Sequence, residues 1–200
     1  MVLHTYDERD LVSRLSRLDR QSKTAFAAAC AQRLLPMFDR YSQSAGAPKL
    51  GSRLAEIVNY AWEAAAAGRA PVTMDALQTD AEAMVPSDQD GWTREMGYGQ
   101  NSAAAAAYAI RTWLTDDPQE AAWAARQVYE LADYVVLQSK PDLDLNSSHT
   151  AAWVLASDLV QHELGGLADA LAEVEGESTD WRKLRTDAEA GGQILANAAP

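Results

Sequence analysis

Thirty-nine of the 200 residues are alanine, while valine and isoleucine together supply only 14. Alanine is the strongest helix former, and β-branched residues are what a pleated sheet needs to pack its surface. A chain weighted in this way is expected to be all-α: a compact bundle of seven to eight helices with no sheet. Residues 1–190 are read as one domain, and 191–200, which begin with Gly191-Gly192, as a frayed tail.

Apolar residues recur at helical spacing along most of the chain. Leu11, Leu15 and Leu18 mark a first short helix, and Ser22 offers an N-cap for a second with the stripe Phe26, Cys30, Leu34, Phe38 and Tyr41. Pro36 falls inside that stripe, where its missing N–H and its ring predict a kink or a restart. A third helix carries Leu50, Leu54, Ile57, Val58, Ala61 and Trp62 and should stop at Gly68. Thr73 can cap a fourth with Leu77, Ala81 and Met84, ending before Pro86. Residues 86–100, with Gly91, Gly97 and Gly99, read as the longest irregular stretch. A fifth helix then holds Ala103, Ala107, Ile110 and Leu114.

The clearest start is that of the sixth helix, with Asp117 as cap, Pro118 at the first helical position and Glu120 three residues beyond the cap. After a loop at 140–148, Trp153, Ala156, Val160, Leu164, Leu167, Leu171 and Val174 describe one long helix. Gly165-Gly166 inside it suit a close crossing or a bend. A final helix carries Trp181, Leu184 and Ala188.

Charge excludes some classes of partner. The net charge is -12, which opposes general nucleic-acid or anionic-membrane binding, since phosphate affinity is built from Lys and Arg. No run approaches the ~18 apolar residues of a membrane span, and the first residues lack the basic and apolar regions of a signal peptide. One cysteine, Cys30, cannot form an internal disulfide. A soluble cytoplasmic protein is expected. The charge is also polarised. Residues 9–53 sum to +6 and residues 54–200 to -16, so the basic helices either dock on the acidic remainder or steer a charged partner.

Candidate chemistry is sparse. A nucleophilic Cys30 would need a basic neighbour and access, yet it lies on the apolar stripe. No Cys pair or paired-His motif suggests a metal. Asp158 and His162, four apart beside Glu163, are expected to form a solvated ion pair. Asp142-x-Asp144-x-Asn146 imitates the start of a calcium loop, but Ser147 stands where the turn glycine belongs and Trp153 where the bidentate glutamate does. No metal and no cofactor are assigned.

Arg33, next to Gln32 and near Pro36, can bind the carbonyl that proline leaves unpaired, pair with a buried acid such as Glu63, or hold a ligand. Asp90, Trp92, Arg94, Met96 and Tyr98 place aromatics among charges, the composition of a contact surface. Equally, Trp92 and Tyr98 can fold back as anchors.

Leu18, Phe26, Gln32-Arg33, Pro36, Phe38 and Tyr41, then Trp62-Glu63, Val85-Pro86-Ser87 and Asp90, resemble in order and spacing the YjaG-like family, small bacterial proteins of unknown function. The likeness runs over about residues 11–142 and more loosely over 161–192. It implies a compact all-helical domain and no particular activity.

These readings lead to a protein–protein interaction or regulatory module, adaptor-like or immunity-like, without chemistry of its own and with a basic protein as partner. The alternative is a hydrolase or metal-dependent enzyme with a cleft lined by Arg33, Glu63 and Asp90, and it requires those three to converge.

Overall fold

The computed structural model describes residues 3–70, 73–87, 91–140, 143–144 and 147–200. Among them there are nine helices and no strand: α1 Glu8–Leu15, α2 Arg20–Ser44, α3 Lys49–Ala67, α4 Met74–Ala83, α5 Arg94–Thr115, α6 Pro118–Gln138, α7 Ser148–Leu155, α8 Asp158–Glu175 and α9 Trp181–Ala198. The all-α expectation holds, with nine helices in place of seven or eight.

α2 is the axis of the fold. It is buried on every side from Lys23 to Leu34, and α3, α5, α6, α8 and α9 all pack against it. A helix apolar all round has to lie inside. Alanine makes that arrangement possible: Ala25, Ala27, Ala28, Ala29 and Ala31 of α2 meet Ala103, Ala105, Ala106 and Ala109 of α5 and Ala121, Ala122, Ala124 and Ala125 of α6 in one core. Small side chains let helix axes approach closely. Phe26, Phe38, Leu54, Ile57, Ile110 and Leu131 fill the space between and are fully buried.

Several helix ends follow the sequence. Gly68 closes α3 in the left-handed region at φ 65°, and Asp117 caps α6 by accepting from the Gln119 N–H at 2.9 Å, with Pro118 next. Other boundaries differ for identifiable reasons. Asp19 caps α2, and Ser22 donates its backbone N–H to Asp19 Oδ1 at 2.7 Å instead of capping. α2 is continuous through Pro36, held on both sides of it by buried residues.

α5 starts at Arg94, well inside the stretch expected to be irregular, because Thr93 Oγ1 accepts from the Met96 N–H and Met96 Sδ accepts from the Thr93 N–H. Gly97 and Gly99 are helical. A Cβ on Gly97 would strike the Tyr134 ring and one on Gly99 the Tyr41 ring, so these glycines admit aromatic rings instead of breaking the helix.

The long helix expected from Trp153 to Val174 divides at Ala156-Ser157, where the Ser157 hydroxyl accepts from the Val160 N–H and starts α8 anew. The expected frayed tail is helical as far as Ala198. Leu195 is fully buried, and the Arg40 guanidinium donates to the carbonyls of Ala196 and Ala199.

Candidate functional site

Arg33 is buried in α2, with 7% of its side chain exposed, and its Nη1 donates to Glu163 Oε2 of α8 at 3.1 Å. The acid that Arg33 pairs with is therefore Glu163 and not Glu63. Glu63 is exposed on α3, where Asn59 Nδ2 donates to its Oε1 at 2.7 Å, and it borders a different cavity from Arg33. Asp90 lies outside the described residues. Arg33 and Glu63 do not converge, so the enzyme reading loses the cleft it needed.

Three glycines hold Arg33 in place. A Cβ on Gly166 of α8 or Gly191 of α9 would overlap its guanidinium, and one on Gly192 would overlap its backbone carbonyl. α8 and α9 can thus close onto α2 only where they carry no side chain. Gly166 and Gly191-Gly192 mark a crossing of three helices in the primary structure.

A cleft of about 440 Å3 opens beside this crossing, bordered by α2, α8 and α9. Ala29, Leu167, Leu184 and Ala188 supply its apolar side, Arg33 a buried cation, and Asp169, Glu173, Lys183 and Asp187 a charged rim. Lys183 Nζ stands 2.7 Å from Asp187 and 3.6 Å from Glu173, whereas Asp169 is exposed and has no hydrogen bond or ion pair with a described residue.

Glu163 is fully buried, and burial raises its carboxyl above the usual range against the pull of Arg33. Its Oε1 has no hydrogen bond, with His162 Nε2 4.0 Å away. The solvated pair expected of Asp158 and His162 gives way to this contact between His162 and Glu163. Burial, then Arg33, lowers the His162 pKa, so its ring is neutral at neutral pH. Burial likewise pushes the Cys30 thiol up to about 12, although Arg33 opposes it. A thiol so held is a poor nucleophile. Among the described residues no group of three or more His, Cys, Asp or Glu is placed to hold a metal ion. Of the calcium-like run, Asp142 and Asn146 lie outside them.

A second concavity, of about 360 Å3, lies between α5 and α6 and is bordered by Trp92, Gln127, Tyr129, Glu130, Asp133 and Tyr134, among others. Trp92 is 49% exposed. Tyr98, expected beside it, is fully buried in α5, edge-on to Tyr134 and beneath the Arg40 guanidinium. Helical phase explains the separation, because Trp92 precedes the α5 cap and Tyr98 faces α2. Arg94 is exposed and paired with Glu95, and Met96 is half-buried in the cap. Tyr129 and Tyr134 are braced from behind, Tyr129 by a parallel stack on Tyr6 at 5.5 Å and Tyr134 by its packing on Gly97. Asp133 is half-buried and has no hydrogen bond or ion pair with a described residue, and burial, then Glu130, raises its pKa.

The close approach expected at Gly165-Gly166 is found at Gly166, whereas the ion-pair role of Glu163, the helical placement of Gly97, Gly99, Gly191 and Gly192, and the positions of Asp169, Asp133 and the α6 tyrosines do not stand out in the sequence. The two Gly-Gly pairs inside apolar stripes were the available signal.

No helix among the described residues is long and apolar enough to cross a membrane. A comparison with curated proteins gives no match. Among solved structures the fold is similar to the crystal structure of a DUF416 family protein from Shewanella baltica OS155, with a TM-score of 0.74 at 18% identity, over 88% of this chain and 92% of that one. The family model described as a protein of unknown function (DUF416) matches residues 10–194. With nearly the whole chain matched, the protein belongs to the DUF416 family.

Proposed function

We propose that this protein is a protein–protein interaction module, adaptor-like or regulatory and cytoplasmic, that receives a basic segment of a partner in the groove between α5 and α6. The half-exposed Trp92 beside that acidic, tyrosine-lined groove carries the reading. A large exposed aromatic with braced aromatic neighbours offers contact area at little cost in side-chain entropy. Asp133, which has no ion pair among the described residues, favours a lysine or arginine, and Glu130, which Arg126 engages at 2.6 Å, adds to the acidic lining. Asp90, two positions before Trp92 in sequence, and the exposed Arg94 belong to the proposed face, with Met96 behind it; Tyr98 does not. The charge of -16 after Leu54 supports electrostatic attraction of such a partner. The narrower YjaG-like likeness rests on the residue order from Leu18 to Asp90 and adds no activity.

Capture of partners from the organism's own lysate, compared among the parent, Trp92→Ala and Asp133→Lys, tests this. The expected partner is basic, is retained by the parent at low salt, elutes as salt rises and is lost from both variants. In purified form, Trp92→Ala should weaken binding at least tenfold, mainly through faster dissociation, and Asp133→Lys should mainly slow association. If both folded variants retain what the parent retains, the groove is not the contact face.

A further inference from the structure

The cleft between α2, α8 and α9 shares no lining residue with the α5–α6 groove and contains a group that the interaction reading leaves unused. Arg33 gives one hydrogen bond, from Nη1 to Glu163, while Nε and Nη2 have no partner among the described residues. Its side chain is more than nine-tenths buried, yet it borders the cleft. Those N–H groups are not among the solvent-excluded polar atoms left without a partner, so they are reached from the cleft, and a carboxylate or a phosphate can meet the planar fork with two parallel hydrogen bonds.

The rim argues against a simple anion. Asp169, Glu173 and Asp187 outnumber Lys183, which is already engaged by two of them. A phosphate or an uncompensated carboxylate would meet that field unfavourably. Asp169 lies three residues after Gly166, and Asp187 four before Gly191. On a helix those spacings put each carboxylate on the same face as the glycine that touches Arg33, about 5–6 Å away between Cβ positions. The Asp169 side chain spans part of that distance, so an ammonium group next to the Arg33-bound carboxylate, as in an α-amino acid, comes within its reach, and Asp169 has no ion pair among the described residues. The remaining wall, of Ala29, Leu167, Leu184 and Ala188, is apolar.

We propose that this cleft binds a free amino acid with an apolar side chain, its carboxylate on Arg33, its ammonium group at Asp169 and its side chain against the α8–α9 wall. The volume, about 440 Å3, is in the range of small-ligand sites. Bound there, the ligand bridges α2, α8 and α9 and ties occupancy to the packing of the last two helices.

Calorimetric titration of the full chain with L-valine, L-leucine, L-methionine and L-phenylalanine is the test, with leucine methyl ester, 4-methylpentanoate and inorganic phosphate as probes that lack one of the two charges or both the ammonium group and the apolar side chain. At least one amino acid should bind, with its ester or deaminated counterpart at least tenfold weaker and phosphate not bound. Asp169 and Ala190 are exposed, so variants there keep the fold. Asp169→Asn should weaken binding about tenfold, and Ala190→Trp, at the cleft's edge, should abolish it with an unchanged melting curve. Failure of all four amino acids to bind, equal binding of 4-methylpentanoate or phosphate, or undiminished binding by Ala190→Trp would each overturn the proposal.

Discussion

Glu163→Ala is expected to lower stability by about 3–5 kcal/mol, the usual consequence of removing one member of a buried ion pair. The loss arises less from the missing attraction than from what stays behind. Gly166 and Gly191 pack against the Arg33 guanidinium and hold it in place at the cleft's edge, so its charge stays more than nine-tenths buried after its ion-pair partner is gone. Replacing both partners, as in Arg33→Met with Glu163→Leu, should recover most of the loss, because desolvation of the two ions offsets much of their attraction. Denaturant melts of Arg33→Met, Glu163→Leu and the double variant form a cycle whose coupling energy measures the pair.

Glu163→Gln separates charge from shape. Burial raises the Glu163 pKa in the folded protein, so its protonated form is favoured by folding. That contribution is fully present below the unfolded carboxylate pKa and is lost as pH rises through the folded value. The parent should therefore gain stability relative to Glu163→Gln as pH falls through the carboxylate range. A difference that is flat with pH would show that Glu163 titrates as it does in the unfolded chain.

In the sequence Glu163 is visible only as a neighbour of Asp158 and His162, not as the partner of Arg33. It stands three residues after Val160 and four before Leu167, so helical spacing places it on the buried face, but its charge and its neighbours Asp158 and His162 make it read as part of a solvated ion-pair face. Its partner is 130 residues away, and no local pattern encodes a pairing at that distance. Arg33 is visible as an odd charge in an apolar helix and a buried acid such as Glu63 is one of the partners open to it, but nothing local distinguishes Glu163 from Glu63.

Glycine caused the other misreadings for one shared reason. A glycine that ends a helix and one that lets another element approach look identical in a single sequence. Gly68 is the first kind, with φ 65°. Gly97, Gly99, Gly191 and Gly192 are the second, and each was read as loop or tail. By contrast, the alanine-rich stripes and the Asp117-Pro118 start specify helices through local physics alone, so they were legible at once. Trp92 and Tyr98 were legible as notable residues but not as exposed or buried, because that depended on where α5 begins.

Trp62→Ala should cost about 3–5 kcal/mol, and here the sequence and the structure point to the same side chain. Trp62 is 5% exposed on α3, on the face that carries Leu54, Ile57, Val58 and Ala61. One helical turn away on α3, Val58 and Ala65 are buried beside it, Ala65 at three residues and Val58 at four. Ala65 and the β-branched Val58 have little rotamer freedom with which to move into the space vacated by the indole, so a cavity should remain. A second effect adds to the cavity. The indole Nε1–H donates to Gln32 Oε1 at 3.2 Å, and Gln32 is itself buried in α2, one residue before Arg33. Trp62→Phe keeps most of the volume and removes that donor, so it should cost about 1–3 kcal/mol, the penalty of a buried acceptor left without a partner. The difference between the two variants then measures the cavity by itself. If Trp62→Ala falls within the ~0.5 kcal/mol typical of surface substitutions, then Trp62 faces water and the packing of α3 on α2 is not as described.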